Sequence, residues 1–136
     1  MEIRLSYIEL QDYVAAHFGK EVTLGMLSPN GLRAKVAQNV LFGTVHAEIH
    51  VTVAEVGADF VVLDIGGGGG MRMILNGLVA FLRKRLHSDA VQVGDGRRIT
   101  VRLSRIERCK ALTDALILKG ICFTENGMDV YASLKN

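Results

Sequence analysis

Residues 45–53, VHAEIHVTV, decide the fold. Val45, Ala47, Ile49, Val51 and Val53 fall on one side of an extended chain, and His46, Glu48, His50 and Thr52 on the other. Successive side chains of a strand point to opposite faces, so this period of two predicts a strand with one buried and one wet face. A central strand of a parallel sheet would be apolar on both faces. The expectation is therefore an antiparallel sheet.

Working outward, turn chemistry agrees. Ser28-Pro29-Asn30-Gly31 places proline and Asn-Gly where a tight turn wants them, opening a hairpin before the long strand. Gly57-Ala58-Asp59 predicts the next turn, leading into the apolar run from Phe60 to Ile65. Ile99, Val101 and Leu103 alternate with Arg98, Thr100 and Arg102. The Asn126-Gly127 pair is a strong hairpin signal. It is followed by a strand expected to bury Met128, Val130, Ala132 and Leu134. Two helices interrupt the strands. Ser6 and Glu9 have the form of a capping box ahead of Tyr7, Leu10, Val14 and Phe18 at helical spacing, with Gly19 as the closing cap. Met71, Ile74, Leu75, Leu78, Leu82 and Leu86 form a second apolar stripe. The expected fold is α+β in a single domain, 1–136: a twisted antiparallel sheet of long amphipathic strands packed on helices at about 7–18 and 71–87.

Composition bounds the function. The 136 residues are 49% hydrophobic and 22% charged, a folded chain with a real core. No run reaches the roughly 18 apolar residues of a membrane span. Glu2, Glu9 and Asp12 interrupt the N-terminal stretch, so no secretory signal is expected there. Cys109 and Cys122 are the only cysteines and form no C-x-x-C, which points to buried, reduced thiols in a cytoplasmic protein. Between residues 83 and 110, nine basic residues stand against three acidic ones, although the whole chain is only +2. That asymmetry suggests an anionic partner, with Arg72, Arg98 and Arg102 as candidate contacts. No aromatic residue lies between Phe81 and Phe123, which argues against stacking on nucleic acid bases.

The glycines at 66–70 are tested against known cradles. A P-loop needs Gly-Lys-Ser/Thr, and here Met71-Arg72 follows. The dinucleotide fingerprint needs a third glycine at a position held by Met71 or Arg72. Residues 62–70, VLDIGGGGG, do resemble the first motif of class I S-adenosylmethionine-dependent methyltransferases. That resemblance implies a cofactor role for Asp64, Gly66, Gly68 and Gly70, with Asp95 as a second acid. The context runs the other way, because the flanking segments read as antiparallel hairpins and not as alternating β-α units. The glycines are then a strand-to-helix connection. His46, Glu48 and His50 are chemically able to hold a metal, but a polar strand face facing water accounts for them, and no metal is expected. No nucleophile-and-base spacing is present, and no catalytic residue or cofactor is expected.

Across residues 32–134, the long alternating strand, the Leu/Met-rich helix and the closing hairpin ILKGICFTENGMDVYASL resemble the tubular lipid-binding (TULIP, bactericidal/permeability-increasing-like) superfamily. The resemblance implies an apolar groove between helix and sheet, lined by Ile49, Val51, Leu75, Leu78 and Leu82. The resulting expectation is a non-enzymatic cytoplasmic binding or accessory domain for a lipid or other apolar ligand, with a basic face for anionic groups. A small methyltransferase-like enzyme and a protein-protein interaction subunit working through sheet-edge or surface pairing are the alternatives, and homo-oligomerisation stays open.

Overall fold

A computed structural model describes residues 1–67, 89–94 and 98–135, with Gly77, Ala80 and Lys84 between them. Among the described residues, nine strands divide between two sheets. Strands β1 (Glu2–Ser6), β9 (Gly127–Leu134) and β8 (Leu116–Phe123) form the smaller one, in the order β1-β9-β8. The larger contains β2 (Glu21–Ser28), β3 (Gly31–Val40), β4 (Gly43–Val56), β5 (Phe60–Gly67), β6 (Val91–Val93) and β7 (Arg98–Arg102), ordered β2-β3-β4-β5-β7-β6. Every strand pairing among the described residues is antiparallel. Helix α1 (Tyr7–Phe18) follows β1, and α2 (Glu107–Ala115) precedes β8. The fold is α+β and mostly antiparallel sheet. No helix among the described residues is long and apolar enough to cross a membrane.

The larger sheet follows the alternation of β4. Ala47 and Ile49 are buried with Ile65, Ala90, Val91 and Ile99, and Val36, Val51, Leu63, Val101 and Ile106 pack against that cluster. The register puts Val36 beside Ala47, Ala34 beside Ile49 and Leu32 beside Val51, so apolar residues of β3 and β4 share this face. The opposite face carries Arg33, Lys35, His46, Glu48, His50, Asp64 and Arg98.

Backbone hydrogen bonds join the two sheets at one end of the larger one. Leu118 N–H donates to Ala58 O at 2.9 Å and Phe123 N–H to Pro29 O at 2.8 Å, so β8 crosses the two turns that the sequence predicted. Ser6 caps α1 as expected: its hydroxyl accepts from the Glu9 N–H at 3.0 Å. The return contact differs from the usual capping box, because Ser6 Oγ donates to Glu9 Oε1 instead of the carboxylate meeting the Ser6 backbone. Gly19 closes the helix in the left-handed region at φ 64°. The helix also guards an edge. Leu24 N–H on edge strand β2 donates to Gln11 Oε1 at 2.8 Å.

Several expectations are corrected. The strands form two sheets, because alternation tells a strand which face to bury but not which neighbour to take. Strand β1 and helix α2 were not foreseen. Leu134 was expected to be buried and is 67% exposed, since it lies at the end of β9. Both cysteines are free, yet only partly buried. The stripe at 71–87 lies outside the described residues, apart from Gly77, Ala80 and Lys84, which are helical.

Gly127 sits where β9 meets β1 so closely that an added Cβ would strike the Leu5 carbonyl oxygen and the Ser6 Cα. Gly127→Ala is expected to destabilise the fold by about 1–3 kcal/mol, measured by urea denaturation. Gly25→Ala, where a Cβ meets nothing within 4 Å, is the matched control.

Candidate functional site

The polar face of the larger sheet is laid out by the β3–β4 register, which sets Lys35 beside Glu48 and Arg33 beside His50. His50 Nε2 donates to Glu48 Oε2 at 2.9 Å, and Arg33 Nε stands 3.8 Å from Glu48 Oε1. The bond from His50, more than the nearby cations, holds the Glu48 carboxyl below its ordinary range. His46, Glu48 and His50 do share one face, as the sequence predicts. Among the described residues, however, no group of three or more His, Cys, Asp or Glu side chains has a geometry able to hold a metal ion.

Asp64 occupies the middle of a strand, not its end. It pairs with Thr52 on one side and Arg98 on the other, both antiparallel. Arg98 grips it in bidentate fashion, Nε to Oδ1 at 2.8 Å and Nη2 to Oδ2 at 3.2 Å, and this hydrogen bonding lowers the Asp64 pKa. Gly66 and Gly67 continue the ladder opposite His50 and Ile49, so the strand does not break at the first glycine. A methyl group at Gly66 would rest 4.0 Å from His50 O, ordinary contact, so crowding does not demand glycine there. The methyltransferase motif requires an acid at the carboxyl end of a parallel strand, turning at once into a helix. Asp64 is not in that position. Gly68, Gly70 and Asp95 lie outside the described residues.

The expected anion contacts separate. Arg98 is compensated by Asp64. Arg102 donates from Nε and Nη2 to Gln92 Oε1, at 3.3 and 3.1 Å, a partner that carries no compensating charge. Arg72 lies outside the described residues, as do Leu75, Leu78 and Leu82. Of the expected groove lining, Ile49 is 2% exposed and belongs to the packed core, and Val51 packs against that core.

The site that sequence reasoning missed is the tip of the β3–β4 hairpin. Val40 pairs with Gly43, leaving Leu41 and Phe42 as the whole turn, and they are 97% and 99% exposed. Gly43 adopts φ 128°, which an L side chain rarely takes. On the β2 side, pairing ends at the Glu21–Ala37 rung, so the hairpin runs on beyond its neighbour. From Val36 to Ala47, twelve residues, there is no Asp, Glu, Lys or Arg. The readable signal was the break in alternation at Val40-Leu41-Phe42 just ahead of a glycine.

Comparison with protein-family models, curated proteins and solved structures found no match.

The acid-limb behaviour of this face follows from Glu48 and Asp64. Both carboxyls are depressed in the folded state, so their contribution is present above the unfolded carboxylate range, about pH 4, and is lost as pH falls through the lower folded values. Asp64→Asn is expected to flatten the stability loss below about pH 4 without changing its plateau slope near neutrality, read from urea midpoints across pH. The effect is modest because both groups are solvent-exposed.

Proposed function

We propose that the protein is a non-enzymatic binding domain that docks on a lipid surface through the β3–β4 hairpin tip. One observation carries this reading: two large apolar side chains stand almost fully exposed at the end of a hairpin whose distal twelve residues, 36–47, contain no Asp, Glu, Lys or Arg. Isolated exposed apolar residues are ordinary on protein surfaces. Leu and Phe together on a two-residue turn are not, because turn positions favour Gly, Asn and Asp.

Dimensions support a lipid interface. From the Ala37–His46 rung to the tip is about four residues, or about 13 Å at the rise of a strand. Interfacial segments bury to a depth of about 5–10 Å, so the tip reaches that depth before any formal charge must leave water. The nearest charged rung is Lys35 with Glu48, of opposite sign. Anionic lipid therefore adds little at the tip. Complete burial of a Leu or Phe side chain contributes about 1.5–3 kcal/mol each. The association is reversible and comparable to that of a single acyl anchor.

The test is co-sedimentation with phosphatidylcholine vesicles. The wild-type chain is expected in the lipid pellet, with little change on adding anionic lipid. Leu41→Ser/Phe42→Ser should weaken binding at least about tenfold, while the thermal midpoint stays put because both side chains are exposed. A wild-type chain that remains in the supernatant, or a double variant that pellets equally well, overturns the reading.

A further inference from the structure

Strand β1 is the edge of the smaller sheet, and among the described residues no strand pairs with its outer side. Which backbone groups face outward is fixed by its partner. Ala132 N–H donates to Met1 O at 2.9 Å and Tyr7 N–H to Asn126 O at 3.0 Å, so the odd-numbered residues make the bonds to β9. Alternation along an antiparallel ladder then turns the N–H and C=O groups of Glu2, Arg4 and Ser6 away from β9.

We infer that a second copy of this chain pairs with that edge, β1 against β1 about a two-fold axis through Ile3. Outward-facing residues must meet outward-facing residues, which leaves few registers. Glu2 opposite its own copy and Arg4 opposite its own copy each set like charges together. With Ile3 on the axis, Glu2 meets Arg4 of the second copy and Arg4 meets Glu2, each pair exchanging two backbone hydrogen bonds. The same register lays Met1 against Leu5 and Ile3 against Ile3 on the other face. Met1 is 64% and Ile3 39% exposed in the single chain. One face of the new ladder is therefore charge-complementary and the other wholly apolar.

Charges on an edge strand often serve to discourage pairing. A guard of that kind carries like charges, whereas Glu2 and Arg4 have opposite signs and already attract within one chain at 2.8 Å. No further copy adds to the smaller sheet through β1. Pairing about a two-fold axis consumes both outer edges, and the far strand β8 is bonded to the turns at Pro29 and Ala58.

The experiment is sedimentation velocity on the full chain over a concentration series, with far-UV circular dichroism on each variant. The wild type is expected to approach the mass of two chains as concentration rises. Glu2→Arg alone and Arg4→Glu alone each set like charges opposite one another and should shift the chain to the monomer. An equimolar mixture of the two variants restores both charge pairs and should recover a two-chain species. A wild type that stays monomeric throughout, single variants that dimerise as well as wild type, or folded variants whose mixture stays monomeric would each overturn the inference.

Discussion

The register of the β3–β4 hairpin is the constraint on which the rest of the molecule depends. It pairs Ala34 with Ile49 and Val36 with Ala47, sending four apolar side chains to one face and Arg33, Lys35, Glu48 and His50 to the other. Side chains alternate with a period of two, so a slip of one residue would drive charged groups into the cluster around Ile49 and Ile65. Desolvating them there costs far more than any new pairing returns. The same register forces the turn onto Leu41 and Phe42. Their exposure is thus a consequence of where the core demands the strands to align, and the apolar tip comes with it.

Fixing one hairpin also organises the second sheet. Strand β4 ends in the turn at Gly57-Ala58-Asp59, and β2 and β3 meet at Ser28-Pro29-Asn30-Gly31. Both turns offer carbonyls to β8. Asp59 does further duty: its carbonyl accepts from Leu103 N–H, and its carboxylate from Ser104 Oγ at 2.7 Å. The smaller sheet is therefore held by backbone groups that the larger sheet has already positioned. Strand β8 is spent on that seam, leaving β1 as the outer edge of the smaller sheet.

Much of this was readable from residues whose local chemistry has one outcome. The alternation at 45–53, the Asn126-Gly127 turn, the Pro29 turn and the Ser6 cap each act over a few neighbours, and each appears in the structure. Other features depend on partners that local patterning does not name. Strand β1 offers only Ile3 and Leu5 as alternating apolar residues, and its β9 partner lies more than a hundred residues away. Helix α2 follows Ile106, which offers no side-chain cap, and leaves Leu112 exposed, so it presents neither a start signal nor a clean stripe. Asp64 shows the converse hazard. An acid before a glycine run looks like a cofactor cradle until its neighbours are known to be antiparallel and its carboxylate is seen in the grip of Arg98.

The chain contains no tryptophan, so Phe42→Trp introduces a single reporter at the hairpin tip. Its fluorescence tests the alignment of the hairpin and its use together. In buffer the emission should be that of a fully hydrated indole, and titration with phosphatidylcholine vesicles should shift it to the blue and shield it from an aqueous quencher. A blue-shifted emission before lipid is added would mean that the tip is packed against protein and the register is wrong. A hydrated spectrum that vesicles leave unchanged would contradict lipid docking.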